Sequence, residues 1–204
     1  MADILIRRET PADYREVEVL TREAFWNVYR PGCLEHYLVH RYRGREGFVP
    51  ELDLVLEMNG RLVGHIMYVH AAIHADDGKD LPVMTFGPIS IAPEYQRRGL
   101  GKALLDDSLT RAAALGAKAI CIEGNLAFYG KSGFVPAAGT DIRYNDEPVT
   151  PPYFLLKELA PGYLHGLSGA YRTPEGYLVD ESEALRFDAS FAPKQRLKLP
   201  GQLA

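Results

Sequence analysis

The chain has 204 residues, 47% of them hydrophobic and 25% charged, with a formal net charge of -4. This is the composition of a soluble globular domain long enough to bury its own core without disulfide or metal staples. The acidic balance argues against partners held by bulk positive charge, such as nucleic acid or an anionic membrane, so any anion site must be built locally.

Length favours one domain, a core over residues 1–160 and an extension over 161–204 packed on it. Residues 3–8, with Ile4 and Ile6, read as a first strand. Thr10, Pro11 and Asp13 mark a helix start, and Val17, Leu20 and Ala24 give it one buried stripe as far as about Asn27. A second helix is expected over 34–43. Its His36 and His40 stand four apart, yet no third ligand accompanies them, which favours exposure or pocket lining over a metal site. Leu52, Leu54 and Leu56 alternate as a strand does, and Asn59-Gly60 is a hairpin turn. Strands over 63–73 and 81–92 follow. Pro88 interrupts the second of these, where a residue without an N–H marks an edge or bulge.

The most informative stretch runs from Gly87 to Leu105, where a strand ends and a helix opens through Gln96-Arg97-Arg98-Gly99-Leu100-Gly101-Lys102. Two glycines one residue apart let successive N–H groups converge, and the helix start adds unpaired donors and partial positive charge. The natural guest is a phosphate or pyrophosphate. A Walker A loop fails, because Gln96 stands where its first glycine belongs and Ala103 where its hydroxyl belongs. A dinucleotide fingerprint beginning at Gly99 fails at Leu104. After the helix, which Gly116 stops, residues 119–123 form a short apolar strand suited to parallel pairing, completing a βαβ crossover. A last core strand is expected over 151–159. The remainder is punctuated by glycine and proline, but Tyr163, Tyr171, Tyr177, Phe187 and Phe191 make it a packing segment.

Gln96-x-x-Gly99-x-Gly101 after a strand resembles the pyrophosphate loop of the GCN5-related N-acetyltransferases, the GNAT superfamily. Tyr129-x-x-x-Gly133-Phe134 resembles the second signature of that family, in a compact form found in a subgroup of predicted acetyltransferases with C-terminal tails. The resemblance covers roughly residues 3–160. It implies an α/β GNAT fold, a mostly antiparallel mixed sheet with a central parallel βαβ unit and helices on both faces. It implies acetyl-CoA as acyl donor, no metal, and direct transfer to an amine in a ternary complex; it also admits a homodimer. Ile89, Ser90 and Ile91 on the splayed strand, Gln96, Arg97, Arg98, Gly99, Leu100, Gly101 and Lys102 in the loop, and Asn125 and Tyr129 become the cofactor-binding residues.

A lysine-like amine has a pKa of about 10.4 and must lose a proton before attack. A neutral tyrosine, with pKa about 10, can return one to the departing thiolate. The family pattern assigns that role to Tyr129. Glu57, Glu123, His70 and His74 are all candidate bases, and sequence leaves the choice open. It also leaves open a small-molecule acceptor, a protein lysine or N-terminus, and a non-catalytic acyl-CoA sensor. Cys121 in an apolar run and the absence of a signal-peptide pattern at MADILIRRET lead to the expectation of a reduced, cytoplasmic protein.

Overall fold

The computed structural model describes residues 3–145 and 147–202. Residues 1, 2, 146, 203 and 204, among them the outer ends of the expected core and extension, lie outside the described residues. The architecture grows from strand alternation. In β2 (Leu54–Met58), Leu54 and Leu56 face one layer of the core while Val55 faces the other. In β3 (Arg61–Ala75), Ile66 and Tyr68 are set against Met67 and Val69 in the same way. Asn59 and Gly60 both take positive φ, 51° and 75°, as a two-residue hairpin linking these strands requires.

Among the described residues nine strands form one sheet. β1 (Ile4–Arg8), β2, β3, β4 (Asp80–Ile91), β5 (Ala119–Glu123), β8 (Phe154–Glu158) and β6 (Val135–Pro136) lie in that order. β9 (Gly169–Tyr171) pairs with the far end of β3 and with β7 (Ile142–Tyr144). Only β4–β5 and β7–β9 are parallel. One face carries α3 (Leu100–Ala114), whose Leu104 and Leu105 are fully buried; each such side chain contributes roughly 1.5–3 kcal/mol. The Tyr68 hydroxyl meets Ser108 Oγ at 2.8 Å and anchors that helix. The opposite face carries α1 (Tyr14–Phe25) and α2 (Glu35–Tyr42), through Val17, Leu38, Val39 and Tyr42. This is the mixed α/β sheet with a parallel βαβ centre that the sequence predicts.

Several boundaries differ. α1 starts at Tyr14, because the Asp13 carboxylate accepts from Thr10 N–H and Oγ and from Arg7, holding 11–13 as a turn. It ends at Phe25, since Asn27 turns left-handed at φ 59° and its N–H donates to Gly32 O. Leu52 belongs to a 3-10 turn rather than to a strand, and is buried there on its own account. β6, β7 and β9 are too short to show a period.

The described segment from 161 to 202 packs against the rest near both of its ends. Tyr163 Oη donates to Pro82 O (2.8 Å), and Gly169 sits so tightly on β3 that a Cβ would stand 2.6 Å from His74 O. α5 (Glu181–Asp188) lies on α2, where His36 is fully buried against Phe187 and Phe191. Arg22 Nε donates to Asp188 at 2.6 Å within the same contact.

Candidate active site

β4 and β5 pair only at Met84 and Ile120, after which β5 follows β8 for its whole length. Residues 85–91 of β4 therefore diverge from β5, and all of them but Ser90 border a cleft of about 1680 Å³. Ala92 N–H donates to Val63 O on β3, so by the two-residue period Ser90 N–H also faces β3. The N–H groups of Ile89 and Ile91 then point into the cleft. At one end of the cleft, Arg97 (φ 58°) and Gly99 (φ 85°) are left-handed and curl the chain into α3. The first internal bond of α3 runs from Ala103 N–H to Gly99 O, leaving the N–H groups of Leu100, Gly101 and Lys102 for a guest. A Cβ on Gly99 would meet nothing within 4 Å, whereas one on Gly101 would stand 3.4 Å from the Phe128 ring. The helix start is thus open on one side and closed by α4 (Leu126–Tyr129) on the other.

Tyr129 stands at the fork. Its ring packs on Phe86 of β4, Phe134 and Phe128, at centroid distances of 5.8, 5.8 and 4.8 Å. Gly124 makes room for it: a Cβ there would lie 2.2 Å from the ring. Burial pushes the Tyr129 hydroxyl well above the ordinary tyrosine range, with Tyr29 across the cleft adding to the effect, so it stays protonated at neutral pH. Glu123, the last residue of β5, also lines the cleft. Its carboxylate accepts from Thr173 Oγ1 (3.1 Å), which lies 3.2 Å from the Tyr144 hydroxyl. α1, α2 and the chain from 171 to 181 close this second end.

The arrangement is a donor-rich anion cradle, a free strand edge, and a proton-bearing tyrosine and a carboxylate lining the same cleft. A family model described as an acetyltransferase (GNAT) domain matches residues 5–137. The chain belongs to the GNAT acetyltransferases. Membership makes it an acetyl-CoA-dependent acyltransferase. It is 28% identical over 166 residues to the uncharacterized N-acetyltransferase YhbS of Escherichia coli K12, covering 81% of this chain and 93% of that one. The crystal structure of YhbS in complex with CoA superposes with a TM-score of 0.75 at 26% identity, over 87% of this chain and 93% of that chain. A GNAT acetyltransferase from Brucella melitensis, solved with acetyl-CoA, shares the fold with a TM-score of 0.68 at 24% identity, over 86% and 98% of the two chains.

Within this GNAT frame the predicted residues divide. Ile89, Ile91, Gln96, Arg97, Gly99, Gly101, Lys102, Asn125 and Tyr129 all border the cleft. Gln96 also straps the loop to the strand, its Nε2 donating to Ile91 O (3.0 Å), and the Asn125 side chain caps α4 through Ala127 N–H (2.8 Å). The side chains of three expected residues point elsewhere. Ser90 is buried on the α1 side, its hydroxyl on Thr21 Oγ1, because alternate residues of a strand face opposite ways. Leu100 turns its side chain into the core, so only its N–H is available. Arg98 stacks over Tyr95 at 5.5 Å, outside the cleft lining. Lys102 is ion-paired with Asp106, which also accepts from Ser132 Oγ.

Of the four candidate bases, only Glu123 borders the cleft. Glu57 pairs with Arg7 at the β1 edge, His74 with Asp80, and His70 borders a separate hollow with Tyr42 and Glu46. His36 is neither exposed nor pocket-lining but buried, and His40 contacts Glu18. A second polar cluster, Glu9, Asp53 and His65, brings three ligand atoms within 4.8 Å of one another. The Arg43 guanidinium already occupies Glu9 at 2.6 and 2.9 Å. Burial pushes Glu9 up to about 8 and His65 down to about 4, which reads as a structural, proton-sharing cluster outside the cleft. Sequence reading missed Tyr29, Tyr144 and Thr173; the twelve tyrosines were the available signal.

Proposed function

We propose that the protein transfers the acetyl group of acetyl-CoA to the primary amine of a small molecule, by direct attack in a ternary complex. Residues 1–160 serve as the transferase core and 161–204 as the cover of its acceptor side. The observation that carries this is the fork between β4 and β5, with Tyr129 and Glu123 at its opening and the anion cradle at its far end.

Acetyl-CoA supplies an acyl group already activated as a thioester. The N–H groups at 100–102, with Arg97, receive the pyrophosphate. The N–H groups of Ile89 and Ile91 lie along the free edge, placed to bind the pantetheine arm and to stabilise negative charge on the acyl oxygen. Glu123 accepts a proton from the incoming ammonium, directly or through water, and the neutral amine forms the new C–N bond as the C–S bond breaks. Tyr129 gives its proton to the CoA sulfur and regains one from the newly acylated nitrogen. The balance is ammonium plus thioester to amide, free thiol and one released proton. The two cysteines are buried free thiols, which suits a cytoplasmic setting. Among the described residues, no helix is long and apolar enough to cross a membrane.

The test is release of free CoA from acetyl-CoA across a panel of amines and lysine peptides. Amine-dependent release by small molecules is the expected result. Tight acetyl-CoA binding without amine-dependent release identifies a sensor, and release only by peptides identifies a protein acetyltransferase; either outcome overturns the proposal.

A further inference from the structure

The second end of the cleft has a chemical character of its own. Tyr144, Tyr171 and Tyr177 wall it from the C-terminal side, and Phe25, Leu34 and Leu38 from the α1–α2 side. Tyr144 and Tyr177 have committed their hydroxyls elsewhere, and Tyr171 is buried by stacking. Tyr177 Oη donates to Gly87 O (3.1 Å), Tyr144 Oη is shared with Thr173, and the buried Tyr171 ring stacks on Phe154. What these walls offer a guest is therefore ring surface and aliphatic carbon.

The charged groups at the rim are spent in the same way. Arg30 and Glu181 neutralise each other at 2.7 Å. Asp180 caps α5, accepting from Glu183 N–H (3.0 Å), and Glu35 accepts from Leu34 N–H (3.0 Å). Arg172 is partnered too. Glu123, where β5 ends at the fork, likewise holds neutral partners, the Thr173 hydroxyl among them, and it is the carboxylate set among these rings. A carboxylate among aromatic rings attracts an ammonium, and the rings add cation–π attraction around it. The rest of the guest lies against ring surface and aliphatic carbon, where a second charge would lose its hydration, and the rim cations Arg30 and Arg172 are already partnered.

We infer that the acceptor is a primary monoamine carried on an uncharged, apolar or aromatic body. This rests on the acetyl-transfer reading and narrows it.

The test compares 2-phenylethylamine, phenylalanine and 1,6-diaminohexane as acceptors, with free CoA as readout. It also measures equilibrium binding of the same three to the CoA-saturated protein. The expected kcat/KM for 2-phenylethylamine exceeds that for phenylalanine by at least about 10²-fold and that for the diamine by about 10-fold. Leu178→Arg, at a cleft-lining position that is 67% exposed and so tolerant of change, should narrow the gap to phenylalanine by supplying a cation. Turnover that favours phenylalanine or the diamine overturns the inference and leaves acetyl transfer standing. Selective binding of 2-phenylethylamine without turnover by any amine keeps the pocket assignment and overturns the transferase reading. Absence of both binding and turnover overturns the two together.

Discussion

The two ends of the cleft are built in opposite ways. The cradle end comes from residues 89–102, one uninterrupted piece of chain whose geometry is dictated by left-handed residues and a helix start. The acceptor end is assembled from Phe25, Leu34, Glu123, Tyr144, Thr173 and Tyr177, which no local pattern connects. A site made of backbone donors can be encoded in a short motif, because N–H groups depend on φ and ψ and not on distant partners. A site made of side-chain surface exists only once several elements have docked. The cradle should therefore tolerate damage to the C-terminal segment, and the acceptor end should not.

The strongest way to separate the two ends is to break the contact that docks α5. Asp188 is held by Arg22 (2.6 Å) and Arg196 (3.0 Å) and faces the buried His36 at 3.2 Å. Asp188→Asn leaves Arg22 buried without its counter-charge, a loss of about 3–5 kcal/mol. Denaturant melts should show that loss, and the acceptor KM should rise while the acetyl-CoA Kd stays near wild type. A matching loss of acetyl-CoA affinity would show that the two ends are not separable.

Acid should act on the same contact. Burial pushes His36 down to about 4 from an ordinary 6.5, so the folded ring is neutral where the unfolded ring is charged. Between those values the unfolded chain binds the extra proton, and stability falls as pH drops from 6.5 toward 4. The full effect is roughly 3 kcal/mol. His36→Phe keeps the packing on Phe187 and Phe191 and removes the proton. One proton's worth of the slope of stability against pH should vanish, leaving the share that belongs to His65 and the opposing share of Glu9. An unchanged slope assigns the acid sensitivity elsewhere.

At the fork the comparison can be tested by chemistry alone. Tyr129→Phe retains the packing on Phe86 and Phe134 while deleting one oxygen. Turnover should fall by about 10²-fold or more, equally in kcat and kcat/KM, with acetyl-CoA affinity unchanged. Near-equal single-turnover rates would remove the proton-donor role.

The smallest effects on the fold should come from the cradle. Gly101→Val crowds Phe128 and Ile91, and Gly99→Ala forces a side chain into φ 85°, a strain of about 1 kcal/mol. At 100-fold over Kd, acetyl-CoA should stabilise the wild type by roughly 2.7 kcal/mol. Both variants should lose much of that shift while α3 remains folded, as helical circular dichroism would register. A full shift in either would move the pyrophosphate away from this loop.

By itself the sequence determined what depends on neighbours along the chain. The Asn59-Gly60 turn, the strand-to-helix passage at Gly99 and the placement of Tyr129 four residues before Gly133 were all legible there. So was the apolar run 119–123, short and bounded by turns. Each reflects a local demand: a positive φ, an unpaired helix N–H, a period of two. Tertiary structure alone decided which of Ile89, Ser90 and Ile91 face the cleft, because that depends on the register of β4 against β3. It also put only Glu123, of the four candidate bases, on the cleft lining, since β5 ends at the fork. The short strand β9 was invisible in sequence for the same reason. Its three residues carry no period, and it exists because Gly169 lets the chain come within contact of the β3 backbone.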